Sequence, residues 1–285
     1  MDYRTIVSAE ELHRSLANPA LAIFDCRHEL MNPDAGARAY AQSHLPGARF
    51  AHSETDLAGL KTGRNGRHPL PDPQAFMGWL GRNGVDADKQ IVAYDFAAGS
   101  SAARLWWMLR WVGHESVAVL DGGWEGWVKA GLPVTAEQPR ITETTFVGKP
   151  RPIWVDVEFV SSHLGDPSVV VLDARTPERF QGLTEPIDPV AGHIPKARSA
   201  PWTDNVDPSN GRFRPPDQLR ERYEARGIRT GDDAIVYCGS GLTATHDLLA
   251  MRLAGFPRDG RLYGGSWSGW IEDPTRPVAT GDEPG

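Results

Sequence analysis

The chain has 285 residues, enough for about two domains of ordinary size, each able to bury its own core. Its 30 Lys and Arg against 37 Asp and Glu give a formal net charge of -7, with no block of like charge suited to a phosphate backbone. Two cysteines cannot form a disulfide framework or a four-thiolate zinc site, and the histidines show no metal-ligand spacing. We therefore expect no nucleic-acid partner, no metal and no cofactor, and a reducing compartment, by default the cytoplasm.

Neither export nor membrane insertion is expected. The N-terminus carries charges every few residues and lacks the apolar centre of a signal peptide. No run elsewhere approaches about 18 uncharged apolar residues, the length needed to span a bilayer.

The sequence contains one internal repeat. Four pairs of similar segments keep their order along the chain: 21–27 with 169–175, 41–50 with 190–199, 91–104 with 235–245, and 119–127 with 261–270. A stretch rich in Pro and Thr, without helical periodicity, separates the two copies. We predict a duplicated domain, with a first copy at 1–133, a linker at 134–152 and a second copy at 153–285.

Short β-branched runs alternate with amphipathic segments in both copies, which is typical of a parallel sheet with helices on its faces. In the first copy, Ser8 followed by Glu11 predicts a capping box at a helix start. The further elements predicted there are strand 21–25, helix 73–84, strand 90–95, helix 101–113 and strand 116–121. Those predicted in the second copy are helix 156–164, strand 168–174, helix 216–227, strand 234–237, helix 243–255 and strand 261–264. We expect an α/β fold with a mainly parallel sheet flanked by helices in each copy.

The chemistry is predicted at Cys238, where a strand runs through a glycine-containing loop into a helix. Ligands of open α/β sheets bind at this edge, beyond the carboxyl ends of the strands. Gly239 and Gly241 are expected to take positive φ, so that successive N–H groups point at one atom and favour a thiolate. The hydroxyls of Ser240 and Thr243 are candidates to donate to the sulfur or its substituent. The alternative is that Cys238 is a small buried apolar residue.

The first copy supplies a contrast. Cys26 lies inside a strand and is matched by Ala174, so we interpret it as core. Asp95 stands where Cys238 stands, and the first copy is therefore expected to be catalytically inactive. His44 and His193, each in an H-x-P setting, are interpreted as turn residues bonded to backbone.

Together these residues resemble the two-domain rhodanese family over nearly the whole chain. The resemblance rests on both D-x-R strands, both H-x-P turns, the strand-Cys-loop-helix unit and both GG-containing endings with Trp. It implies tandem rhodanese-like domains, of which the second carries a persulfide on its cysteine. The loop from Cys238 to Thr243 is similar to the C-G-S-G-V-T loop of 3-mercaptopyruvate sulfurtransferases, with Leu242 in place of Val. Thiosulfate sulfurtransferases typically carry basic residues there.

The resemblance also implies roles for residues outside the loop. Arg179 stands where an arginine grips the anionic group of the substrate, and His68 where a histidine forms a relay with Ser240. The acidic member of that relay aligns with Glu54. A further substrate arginine of many relatives is replaced by Asp188. The remaining residues expected to contact substrate belong to the cysteine loop: Gly239, Gly241, Leu242 and Thr243.

The expected activity is transfer of a sulfane sulfur from 3-mercaptopyruvate to cyanide or to a thiol such as thioredoxin, through a Cys238 persulfide. Two alternatives stay open: a thiosulfate:cyanide sulfurtransferase, and a non-catalytic module that senses or binds persulfide. Phosphatases of the same fold use a C-x5-R loop, whereas the sixth residue after Cys238 is Ala244, so phosphatase chemistry is not expected.

Overall fold

Each copy of the repeat forms a five-stranded parallel sheet in the computed structural model, which describes residues 2–285. The first unit holds the chain up to Gly59, Leu70–Arg151 and Pro208–Phe213; the second holds Leu60–Pro69, Pro152–Asp207 and Arg214–Gly285. Two short segments, 60–69 and 208–213, therefore belong to the unit formed mainly by the other copy.

The sheet of the first unit has the strand order β1-β5-β4-β2-β3, with parallel pairing throughout. Its strands are β1 (Ile6–Val7), β2 (Leu21–Asp25), β3 (Ala48–Phe50), β4 (Gln90–Tyr94) and β5 (Val117–Leu120). Its helices are α1 (Ala9–Ser15), α2 (Ala35–Gln42), α3 (Pro73–Arg82), α4 (Ala102–Trp111) and α5 (Gly123–Lys129). The predicted capping box is present at α1, where Ser8 Oγ accepts the Glu11 N–H and Glu11 accepts the Ser8 N–H, both at 3.2 Å.

The second unit repeats this order as β6-β10-β9-β7-β8, again in parallel. Its strands are β6 (Trp154–Val155), β7 (Val169–Asp173), β8 (Arg198–Ser199), β9 (Asp233–Tyr237) and β10 (Arg261–Tyr263). Its helices are α6 (Val157–Ser162), α7 (Pro177–Gln181), α8 (Pro216–Ala225), α9 (Ala244–Leu253) and α10 (Ser266–Trp270), with a 3-10 turn at Trp202–Asn205. The matching strand orders confirm the predicted fold class and the duplication.

The D-x-R motif at the end of the second strand is a buried structural tie in both units. Arg27 Nη2 donates to Asp25 Oδ2 and Arg175 Nη2 to Asp173 Oδ2, each at 2.6 Å, and both carboxylates are fully buried. Cys26 lies between the first pair, fully buried, and burial raises the pKa of its thiol well above the usual range. Cys26 is therefore a core residue, as expected from the sequence.

His44 and His193 occupy equivalent turns and bond backbone carbonyls. His44 Nδ1 lies 2.8 Å from the Tyr40 carbonyl oxygen, and His193 Nδ1 lies 2.7 Å from that of Phe180. Both rings are fully buried, in agreement with the structural role expected for them. No helix within residues 2–285 is both long and apolar enough to cross a membrane.

Candidate active site

Cys238 directly follows β9, which pairs with β10 on one side and β7 on the other. The loop that begins with Cys238 leads into α9, whose first eight residues are all buried. The thiol is thus held between a central strand and a buried helix, at the sheet edge where ligands of open α/β folds bind. The Cys238 side chain is 2% exposed.

The loop backbone turns a donor toward the sulfur. The Gly241 N–H donates to Cys238 Sγ at 3.1 Å, and Gly241 has φ +86°, the left-handed region that glycine enters without steric cost. Gly239 does not have positive φ, so the sequence-based prediction for that glycine was wrong. Glycine leaves room here instead, because a Cβ at position 239 would lie 2.8 Å from Nη2 of Arg67 and that side chain would have to move.

The start of α10 fixes the backbone of the cysteine loop. The Trp267 N–H donates to the Cys238 carbonyl and the Ser268 N–H to the Gly239 carbonyl, each at 2.9 Å. The Cys238 N–H in turn donates to Ser266 Oγ at 3.2 Å. Ser266 has φ +52°, a conformation that is costly for a residue with a side chain. In the sequence, the glycine pair before Trp267 indicated only the repeat and did not predict these three hydrogen bonds.

Ser240 and His68 form a buried pair beside the thiol. Ser240 Oγ lies 2.7 Å from His68 Nδ1, with Ser240 5% and His68 1% exposed. The two residues are 172 positions apart in the chain, and they meet because segment 60–69 belongs to the second unit. Glu54 lies in the first unit, half-buried, and its N–H donates to His52 Nδ1 at 3.1 Å.

Arg179, on α7, is held by two carboxylates. Its Nε and Nη2 donate to the two Glu185 oxygens at 3.0 and 2.7 Å, and Nη2 also lies 3.1 Å from Asp188 Oδ2. Burial raises the pKa of Glu185, but hydrogen bonds from Arg179 and from backbone outweigh it, and the net shift is downward. Burial raises the pKa of Asp188, although nearby arginines oppose the change.

Arg67 is a further residue near the cysteine loop that the sequence did not reveal. Its Nη1 donates to Asp188 Oδ1, so one carboxylate bridges the Arg67 and Arg179 guanidinium groups. The Arg67 backbone N–H donates to Ser268 Oγ at 3.0 Å. The only signal in the sequence was its place next to His68 in the segment GRHPLP.

The other two residues of the cysteine loop are Leu242 and Thr243. Leu242 is 7% exposed, and its carbonyl accepts the Thr245 hydroxyl at 2.6 Å. Thr243 is half-buried at the start of α9, and its hydroxyl has no hydrogen-bond partner among residues 2–285. The structure therefore brings Ser240, but not Thr243, into a hydrogen bond with His68.

The first unit places a carboxylate where the second has its thiol. Asp95 Oδ1 accepts the Gly99 N–H at 3.0 Å, and Oδ2 accepts those of Ser101 and Ala102 at 2.7 and 3.1 Å. Burial raises the pKa of Asp95 to about 6, although these three donors act in the opposite direction. The N–H groups of this loop therefore bind an anion, as those of an anion-binding nest do. With Asp95 in place of cysteine, the loop has no sulfur nucleophile.

Comparisons with known proteins identify the family of this chain. The rhodanese-like domain family matches residues 8–130 and again 156–273. A Pseudomonas aeruginosa protein named "Probable 3-mercaptopyruvate sulfurtransferase" is 48% identical over 287 residues, covering 99% of this chain and 100% of the relative. An Arabidopsis thaliana protein named "Thiosulfate/3-mercaptopyruvate sulfurtransferase 1, mitochondrial" is 31% identical, covering 96% of this chain and 77% of the relative.

Among solved structures, SseA from Escherichia coli, described as a 3-mercaptopyruvate sulfotransferase with the rhodanese fold, superimposes with a TM-score of 0.81. It is 33% identical, and the alignment covers 92% of this chain and 98% of SseA. The family match covers both copies of the repeat, as the sequence motifs indicated. This chain therefore belongs to the rhodanese family, with two rhodanese-like domains.

Proposed function

We propose that this protein is a sulfurtransferase that moves a sulfane sulfur from 3-mercaptopyruvate to a thiol or cyanide through a persulfide on Cys238. The observation that carries the proposal is a buried thiol, bonded by the Gly241 N–H at 3.1 Å, next to a Ser240–His68 pair at 2.7 Å. The name of the Pseudomonas aeruginosa relative, which gives 3-mercaptopyruvate alone, supports the choice of donor.

The first half-reaction begins when the Cys238 thiolate attacks the donor sulfur. The S–S bond forms as the C–S bond of 3-mercaptopyruvate breaks, and the electron pair of that bond passes to carbon as the enolate of pyruvate. The thiol proton of the donor stays on the outer persulfide sulfur. The enolate therefore needs one proton, which the Ser240 hydroxyl donates and His68 replaces.

In the second half-reaction the acceptor attacks the outer sulfur, the S–S bond breaks, and Cys238 leaves as thiolate. A small thiol, reduced thioredoxin and cyanide are the proposed acceptors. Because both cysteines are free, a reducing compartment is consistent with the chemistry, and we assign the activity to the cytoplasm. The first unit takes no part in transfer, since Asp95 replaces the cysteine there.

Donor contacts are proposed for Arg179 and for the loop residues Gly239, Gly241, Leu242 and Thr243. Glu54 is proposed, on the resemblance, as the acidic partner of the relay. The second candidate donor is thiosulfate, which the name of the Arabidopsis thaliana relative also includes. It would transfer sulfur to Cys238 and leave as sulfite, so that no enolate is formed and no proton is required.

Steady-state kinetics with 3-mercaptopyruvate and thiosulfate, measured side by side with cyanide as acceptor, test the proposal. We expect the higher kcat/KM with 3-mercaptopyruvate, loss of turnover with both donors in Cys238→Ser, and near wild-type turnover in Cys26→Ala. Equal losses in the two cysteine variants, or no sulfur transfer from either donor, would contradict the proposed function.

A further inference from the structure

Two guanidinium groups converge on Gly239, the residue next to the thiol. A Cβ built at position 239 would lie 2.8 Å from Nη2 of Arg67, and 3.4 and 3.5 Å from Nη2 and Nη1 of Arg179. Because the backbone at Gly239 lies outside the positive-φ region, conformation alone does not require glycine there. The missing side chain instead leaves room for both arginines beside the cysteine loop.

Within the described residues 2–285, Arg67 and Arg179 each keep donors that no acceptor meets. Arg67 uses Nη1 for Asp188, and Arg179 uses Nε and Nη2 for Glu185 and Asp188. Nη2 of Arg67 and Nη1 of Arg179 have no hydrogen-bond acceptor among residues 2–285. Arg67 Nε is also without a partner there, although that atom is buried. Buried polar groups are nearly always bonded, and the unpartnered buried Nε of Arg67, together with the two accessible Nη groups, points to an anionic ligand.

Asp188 sets both the geometry and the charge of this cluster. Its side chain is 4% exposed, and its two oxygens engage different arginines. Within the second unit the connected ion pairs join three arginines to three carboxylates, a neutral set. Its members are Arg67, Arg175, Arg179, Asp173, Glu185 and Asp188.

We propose that Arg67 is a second donor-binding arginine beside Arg179, and that Asp188 positions the pair so that the site selects donors bearing a single carboxylate. This inference rests on the proposed function and adds its donor specificity. A planar carboxylate offers two oxygens to two guanidinium groups, which suits the two free Nη donors. A dianion such as thiosulfate meets a cluster whose positive charge is already balanced, and gains less from it.

The first test is Arg67→Gln, compared with Arg64→Gln. Arg64 is an exposed arginine in the same segment and serves as the matched control. We expect Arg67→Gln to raise KM for 3-mercaptopyruvate and to lower kcat/KM by roughly 10- to 150-fold, the range for one charge-assisted hydrogen bond, with kcat largely kept. Arg64→Gln should behave as wild type.

Arg67→Lys provides a second variant that keeps the charge but loses the planar fork, and a smaller rise in KM is expected. A wild-type KM in both Arg67 variants would overturn the inference. A fall in kcat alone would also overturn it, since Arg67 would then act only through its neighbour His68.

The test of Asp188 is Asp188→Asn, which keeps the side-chain shape and removes one negative charge. It should shift the ratio of the two kcat/KM values toward thiosulfate by on the order of tenfold, because loss of one nearby negative charge favours a dianion over a monoanion.

An unchanged donor ratio in Asp188→Asn, or a shift toward 3-mercaptopyruvate, would overturn the specificity part. A separate readout distinguishes this failure from failure of the proposed function. Wild-type protein incubated with 3-mercaptopyruvate and no acceptor is analysed by mass for a persulfide on Cys238. Persulfide formation with unchanged Arg67 and Asp188 variants refutes only the inference, whereas absence of the persulfide in wild type refutes both.

Discussion

The hydrogen bonds and the positive φ of Ser266 predict an unusual order of stability for variants at this position. Its hydroxyl accepts the Cys238 N–H at 3.2 Å and donates to the Tyr263 carbonyl at 3.1 Å, and the residue is fully buried. Its φ of +52° is nearly that of the equivalent first-unit residue, Gly123, at +56°. The second unit therefore accepts backbone strain at a position where the first unit has glycine.

Replacing Ser266 by Ala or by Gly separates the two effects. Either change removes both hydroxyl bonds and leaves a buried N–H and a buried carbonyl without that partner, at about 1–3 kcal/mol each. Ser266→Gly also relieves the left-handed strain of about 1–2 kcal/mol, while glycine costs roughly 0.5–1 kcal/mol in backbone entropy. We expect the Ala variant to be less stable than the Gly variant by about 0.5–1 kcal/mol, the reverse of the usual order.

Thermal unfolding of the two variants and hydrogen exchange of peptides covering Cys238 and Gly239 measure the difference. A gap of a few degrees in Tm is expected for a domain of this size, with faster exchange in both variants than in wild type. Gly123→Ala is the control in the first unit, where a Cβ would lie 2.8 Å from the Asp95 carbonyl oxygen and should destabilise. An Ala variant at 266 as stable as the Gly variant, or more stable, would refute the reasoning.

Three further predictions concern other parts of the two units. Ser240→Ala should lower kcat with 3-mercaptopyruvate by about 10²- to 10⁴-fold but leave thiosulfate turnover largely intact, because only the first donor yields an enolate; steady-state assays with both donors check this. Arg175→Met should lower the free energy of unfolding by about 3–5 kcal/mol, since it leaves a buried carboxylate uncompensated, and Arg27→Met should act equally in the first unit; denaturant titration of each variant measures it. The contribution of Asp95 to the free energy of unfolding should fall by about 2 kcal/mol as pH rises from about 4 to 6, because folding raises the Asp95 pKa to about 6 and the folded state holds the extra proton in that window. Urea titrations across this pH range, compared with Asp95→Asn as the variant that should lack this component, test that sign.

A specific result would contradict each of these three predictions. Equal losses with both donors in Ser240→Ala would show that the hydroxyl supports the loop and not proton transfer. A stable Arg175→Met protein would mean that the D-x-R carboxylate is neutral or finds another donor. Identical pH slopes in wild type and Asp95→Asn would place the titration on other groups.

The parts of the fold with strong periodicity were predictable from the sequence. Strands β2, β4, β7 and β9 are apolar runs, and α3, α4, α8 and α9 are long segments with helical spacing, so local pattern and burial agree. Short elements such as α7 and α10, of five residues each, were not predicted, since tertiary contacts rather than propensity determine them. Helix α7 carries Arg179, and the start of α10 makes the hydrogen bonds that fix the Cys238 backbone.

The candidate site was predicted in its residue types but not in its contacts. Cys238, Ser240, His68 and Arg179 were identified from the loop pattern and the family resemblance. Arg67 was missed because its partner Asp188 is 121 residues away in the chain, and nothing local marks the pair. Gly239 was assigned to backbone conformation, whereas the folded structure places the Arg67 guanidinium 2.8 Å from where its Cβ would lie, a contact that the sequence does not reveal.

The most direct test of the central claim is the site of sulfur attachment. Protein incubated with 3-mercaptopyruvate and no acceptor, then alkylated and digested, is examined by intact mass and by peptide mapping. We predict one added sulfur atom, located on the peptide that contains Cys238 and removed by subsequent cyanide, with Cys26 unchanged. Sulfur on Cys26, or turnover without any sulfur on Cys238, would contradict the account.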